Sequence, residues 1–266
     1  MNFLGHSFRK SAVSALFGLA VLLGVSCSDS KDTAPNPNEI DKSVNQLPVG
    51  TSAADFLRDT EFDKLVVEIQ YVEGYKPTTV ALNNLKDFLL STVNKSAGII
   101  FKESSIPSPG LAPYSVDDIK SIEDQNRTEY NSGKSLAAYI FFADGDYNQN
   151  SGNSKVLGIA YRNTSMAIFE ATVHDLSDQL LEPDREILES TIIHHEFGHV
   201  LGLVANGSTP QSDHQDVAHG HHCDVEECLM NWVVQTGDVI ENLASSQAVP
   251  ELDSQCQADL QFNGGK

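Results

Sequence analysis

Hydrophobic and polar positions alternate in recognisable periods along most of this chain. "KLVVEIQYVEG" (64–74) is β-branched and alternating, which predicts a strand. "PTTVALNNLKDFLLSTVNK" (77–95) opens with Pro77 and places Val80, Leu82, Leu85, Phe88, Leu89 and Val93 at helical spacing. "AGIIFKESS" (97–105) predicts a second strand. "SVDDIKSIEDQNR" (115–127) predicts a short helix, since Ser and acidic residues suit a helix start. "SLAAYIFFADG" (135–145) is apolar on both faces and predicts a central strand. "KVLGIAYRNTSMAIFEA" (155–171) predicts one further strand, or two around a turn. A long helix follows over "EPDREILESTIIHHEFGHVLGL", and "VPELDSQCQADLQ" closes the chain as another helix. This order predicts an α+β domain, a mixed sheet with helices packed on it.

The long helix differs from the others. Pro183 sits near its start, with Asp184, Glu186 and Glu189 where negative charge suits the dipole. Ile187, Leu188, Ile192, Ile193, Phe197, Val200 and Leu201 fall all round it, so it is buried. Gly202 marks its end. Polar side chains on such a helix require partners, because unpaired burial is costly.

Composition adds an address. The chain has 266 residues, a net charge of −20 and 40% hydrophobic content. That suffices for one sizeable domain. The charge argues against nucleic-acid and anionic-membrane partners. At the N-terminus, Arg9 and Lys10 precede the apolar "SAVSALFGLAVLLGVS" and then Cys27. This resembles a bacterial lipoprotein signal over residues 1–26, with Cys27 as the lipidated residue. It implies a protein anchored through lipid alone on a bacterial outer membrane or cell surface. "SDSKDTAPNPNE" continues into a polar tether expected over 27–53, with the domain at 54–266 and a monomer as its state. With Cys27 lipidated, Cys223, Cys228 and Cys256 remain. Cys223 and Cys228 are candidates for a disulfide, which leaves Cys256 free or competing.

The chemistry lies in "HHEFGH". His195 and His199 stand one turn apart on one helix face and can grip one Zn²⁺. Glu196 beside them can take a proton from a zinc-activated water and pass it to a leaving amine. His194 points about 100° away and reads as a packing residue. A helix with satisfied core histidines is the bland alternative. Downstream, "HQDVAHGHHCDVEECLMNW" offers His214, His219, His221 and His222.

With its H-E-x-x-H, Gly202 and "HCDVEECLM", the chain resembles the metzincin clan of zinc peptidases. In the matrixin branch a Met follows the third His ligand by eight residues, as Met230 follows His222. The archaemetzincin pattern H-C-x4-C-x-M matches "HCDVEECLM" at every fixed position. The resemblance implies a twisted mixed sheet, a long active-site helix, a Met-turn at Met230 and a C-terminal subdomain. It also implies zinc held by His195, His199 and His222, with Glu196 catalytic. The unbroken motif would put the third ligand at Ala205, so residues 203–221 form an insertion. His214 is the main competitor, while Glu226, Glu227 and Glu241 correspond to a branch that Gly202 and Met230 disfavour. In the family an edge strand lines the cleft, which "LGIAYRNTSMAIF" would supply, and "NWVVQTGDV" would wall a substrate pocket.

The expected activity is zinc endopeptidase on a peptide or protein substrate. The alternative is a non-catalytic zinc-binding surface lipoprotein or adhesin. One weaker pattern remains. Asp144, Asp146, Asn148 and Asn150 alternate like a Ca²⁺ loop, but Gln149 stands where Gly is needed, so a polar hairpin loop competes with that reading.

Overall fold

The computed structural model describes residues 40–151 and 155–266. The leader, Cys27 and the first part of the tether lie outside the described residues. Among the described residues, seven α-helices and five strands follow one another: α1 (Ala53–Leu57), β1 (Lys64–Val72), α2 (Thr79–Thr92), β2 (Gly98–Ile106), α3 (Val116–Asn126), β3 (Ser135–Phe142), β4 (Gly158–Arg162), β5 (Ser165–Ile168), α4 (Glu170–Asp175), α5 (Arg185–Val200), α6 (Ile240–Ser246) and α7 (Ser254–Phe262).

The strands form one sheet in the order β2-β1-β3-β5-β4. All neighbours are parallel except β4, which runs antiparallel to β5 at the edge. Residues 155–171 thus give two strands around a turn at Asn163–Thr164, of the two readings open to them. The central β3 is buried on both faces, which explains its unbroken apolar run. Leu136, Ala138, Ile140 and Phe142 join the core under α2 and α5. Tyr139 and Phe141 point the other way and pack with Ile119 and Ile122 of α3. The sheet is therefore sandwiched, α3 on one face and α2 with α5 on the other.

Helix starts follow local chemistry. Thr78 caps α2 by accepting from the Ala81 N–H at 3.2 Å. Ser115 and Asp118 form a reciprocal capping box on α3. Every residue of α5 from Leu188 to Val200 is buried.

The stretch 40–53 departs from the expected tether. Asn45 is fully buried, and its side chain donates to Asn131 Oδ1, Ala137 O and Thr164 Oγ1. Asn163 donates to Val44 O and accepts from Leu47 N–H. Composition reads such Asn- and Pro-rich sequence as solvated, but here its amides satisfy the β4–β5 turn. Order begins before Ala54.

Candidate metal centre

α5 carries His195 and His199, His195 turned to Leu229 beside Met230, while Ile192 and Glu196 face β4. Their rings lie 4.8 Å apart at 86°. The His222 ring is 5.3 Å from His195 and 4.9 Å from His199. All three imidazoles present a nitrogen within 4.8 Å of the others, and all three residues are buried.

The orientation of each ring has a cause. His195 Nδ1–H donates to Leu229 O at 2.7 Å, which turns Nε2 inward. His222 Nδ1–H donates to His219 O at 2.8 Å. Nε2 of His199 lies 3.2 Å from Nε2 of His195. Without an ion, a proton on His199 Nε2 bridges this gap to His195 Nε2; with one, both nitrogens turn their lone pairs to the metal. Tetrahedral zinc with bonds near 2.0–2.1 Å has ligand–ligand edges of roughly 3.3 Å, so the spacing suits that ion. Burial first, then the neighbouring His222, pushes His195 down to about 3. Burial also drives His199 well below its usual range. Both rings are held in the neutral, ligating form.

Glu196 is fully buried beside the trio. Burial raises its carboxyl to about 8, against the lowering effect of the Ala160 backbone N–H on β4. β4 comes close because Gly158 has no side chain: a Cβ there would meet Glu196 Cγ at 2.8 Å and Ile192 Cγ2 at 2.7 Å. A second glycine does the same below the histidines. A Cβ on Gly198 would lie 2.2 Å from Met230 Sδ. Neither glycine belongs to the H-E-x-x-H or Met230 pattern by a fixed position of its own. An isolated Gly inside an apolar strand or helix was the available signal.

The insertion is bridged by a short ladder. Gly202, Val204 and Ala205 all have positive φ, so the chain turns out of the helix where the unbroken motif would continue. It returns as Gln215 pairs with Cys223. Asp216 N–H donates to His222 O, and Asp224 N–H to His214 O. This pairing delivers His222 to the trio and directs His214 elsewhere. His219 stacks on Trp232 at 4.1 Å. His221, Glu226, Glu227 and Glu241 are exposed. His194 stacks on Phe88 at 4.5 Å, and burial pushes it down to about 4. It borders a cavity of 670 Å³ with Asn84, Leu229 and Leu252, on a different face of α5 from the trio.

His214 belongs to a second cluster, with Cys223, Asp253 and Cys256. The expected Cys223–Cys228 disulfide is not formed, and all three thiols are free. Cys228 Sγ lies 3.7 Å from Cys256 Sγ, and His214 Nδ1 lies 3.4 Å from Cys223 Sγ. Three sulfurs converge on common neighbours rather than pairing. Hydrogen bonds from Cys228, Cys256 and His214 hold Cys223 low, as the thiolate. Burial alone would lower His214, but its bonds to Cys223 and Asp259 raise it. A closed set of thiols, imidazole and carboxylate is the donor chemistry of a structural zinc.

Three of the four residues in the Asp144–Asn150 pattern spend side-chain oxygens on the protein itself. Asp144 accepts from Tyr114 and Ser108, Asp146 from Lys155 and Thr172, and Asn150 from Val156 N–H. These are the bonds of a polar hairpin loop.

No family model and no curated protein matches the sequence. Three solved structures are similar to the fold. An archaemetzincin from Methanopyrus kandleri is 17% identical, covering 76% of this chain and 96% of that one, with a TM-score of 0.49. A zinc-dependent peptidase from Methanocorpusculum labreanum is 13% identical over 73% and 99%, with a TM-score of 0.44. Metalloproteinase-II from Bacteroides fragilis is 15% identical over 86% of this chain but 57% of its own, with a TM-score of 0.40.

Proposed function

We propose that the protein is a zinc-dependent endopeptidase, attached to a bacterial envelope through lipid on Cys27. The observation that supports it is the convergence of His195, His199 and His222 beside the buried Glu196. Three nitrogen ligands leave a fourth position open, as catalytic zinc sites do and structural ones do not. The ion, when bound there, supplies the Lewis acidity that brings the pKa of a water down to roughly 7.

The chain's own groups supply the rest. Glu196 accepts a proton and returns it to the leaving amine. A carboxyl raised towards neutral pH is suited to carrying a proton both ways. Leu229 O and His219 O fix the tautomers of His195 and His222. Met230 fills the floor against Gly198 and would form the Met-turn of the family the sequence resembles. β4, at the sheet edge, would hold an extended peptide by strand addition, with Gly158 bringing its backbone close to Glu196. Residues 231–239, in two 3₁₀ turns, would wall the pocket beyond the cut bond.

The test compares the full chain with Glu196→Gln on a quenched peptide library. Zinc content should match, while cleavage falls by roughly 10²–10⁴-fold, the span of general-base catalysis. Equal cleavage by the variant would refute the mechanism.

A further inference from the structure

A third group of donors lies at the start of α5. Glu170 is the first residue of α4, His174 follows one turn later, and Glu189 sits on α5. Both glutamates are fully buried. His174 Nε2 is 3.1 Å from Glu170 Oε1. Glu189 spends one oxygen, Oε2, on the Thr78 N–H at 2.8 Å and the Thr78 hydroxyl at 2.5 Å. Among the described residues, no protein N–H or hydroxyl donates to its Oε1, or to either oxygen of Glu170. One atom from each of the three residues lies within 4.8 Å of the others.

Among the described residues, no Lys or Arg is bonded to either glutamate. Two buried carboxylates that face each other cannot both ionise without a cation or a proton between them. The nearby cation is Arg185, but it is directed outwards. Its Nε and Nη2 hold Asp178, and its Nη1 donates to His174 Nε2 at 3.0 Å. It donates to no oxygen of the glutamates. Burial raises Glu170 to about 8 and Glu189 to about 9.

We propose that Glu170, His174 and Glu189 bind a divalent transition-metal ion that joins α4 to α5. Two oxygens and one imidazole nitrogen suit Zn²⁺ or Mn²⁺. With bonds of about 2.0–2.2 Å, adjacent ligands lie roughly 2.8–3.1 Å apart in an octahedral site and roughly 3.3–3.6 Å apart in a tetrahedral one, so the 3.1 Å separation of Nε2 and Oε1 suits six-coordination directly and four-coordination after a small shift. Tyr75 stacks on His174 at 5.4 Å and orients its ring. On binding, Arg185 Nη1 releases the imidazole while its other nitrogens stay on Asp178. Glu189 precedes His195 by six residues, about 9 Å along the helix axis. The ion therefore fixes the half of α5 that leads to the trio. The site does not depend on the trio being catalytic.

The rival arrangement is a shared proton and no ion. To separate them, the full chain is loaded with Zn²⁺, then titrated with Mn²⁺. Total bound metal is counted by mass spectrometry and free Mn²⁺ by electron paramagnetic resonance. Glu170→Gln and His174→Gln are measured in parallel, so that one folded variant suffices. The expected result is one fewer divalent ion per chain in either variant, with loss of the rise in Tm that Mn²⁺ gives the unmodified chain. Equal metal content and equal Mn²⁺ response in both forms overturn the proposal. So does a Glu170→Gln variant that equals the unmodified chain in metal content and unfolds at a higher temperature in excess chelator, the mark of a proton-sharing pair.

Discussion

Met230 Sδ occupies the space that a side chain on Gly198 would need, 2.2 Å from the site of its missing Cβ. The sulfur is thereby wedged against α5 one residue before His199. Gly198→Ala should force Met230 away and disturb the floor under the histidines. Overpacking of this kind costs roughly 1–3 kcal/mol. Thermal unfolding of the zinc-loaded variant should show that loss, together with weaker zinc retention under a competing chelator.

His222 and His214 should separate cleanly. His222→Ala removes a member of the trio, so peptide cleavage and its zinc should both be lost. His214→Ala disturbs the thiol cluster, so cleavage should persist while the Tm falls. Metal analysis combined with activity on both variants checks this. Loss of cleavage in His214→Ala alone would reverse the assignment.

Lys95 offers a test of the fold away from any metal. Its ammonium donates to the carbonyls of Asp55, Arg58 and Phe62, closing the chain around the end of α1. Lys95→Met strands three acceptors in a region where water cannot fully replace the ammonium. A loss of about 3 kcal/mol is expected from the usual cost of unsatisfied groups. Urea unfolding would read it as a lower midpoint with an unchanged slope.

The pair Glu170 and Glu189 predicts a pH response when divalent ions are chelated. Burial holds both well above the ordinary carboxyl value, at about 8 and about 9. The folded chain then retains a proton that the unfolded chain releases near pH 4.5. Stability must therefore fall as pH rises from that value towards 8–9, by up to about 1.4 kcal/mol per pH unit for each retained proton. Glu189→Gln should flatten the slope between pH 6 and 8. Identical slopes in the two proteins would contradict the assignment.

Much of the fold was legible because α2 and α3 keep a helical period, while β1, β2 and β3 are short β-branched or apolar runs, unbroken in β3 where both faces are buried. Polar contacts were not legible in the same way. Asn45 looks like linker sequence, yet its amide is satisfied by residues 86 to 119 positions away. Spacing to Met230 singled out His222, and the structure brings it beside His195 and His199. The Cys223–Cys228 spacing also suggested a bond, but the approach of Cys256 and His214 depends on α7 and on the insertion folding back. Gly158 and Gly198 carry no side chain, so their importance appears only when the neighbours that fill the space are known.

The clasp formed by Val44, Asn45 and Leu47 has a mechanical consequence. A load entering the chain at residue 40 meets the β4–β5 turn first, through the amides of Asn163 and Asn45 and the hydroxyl of Thr164. It passes from there into β3 through Ala137, in the middle of the sheet. The same stretch reaches α5 only further on, where the Phe56 ring meets Phe197 edge-on at 5.9 Å. The bonds at 44–47 are therefore the first of these contacts to carry traction from the N-terminal side.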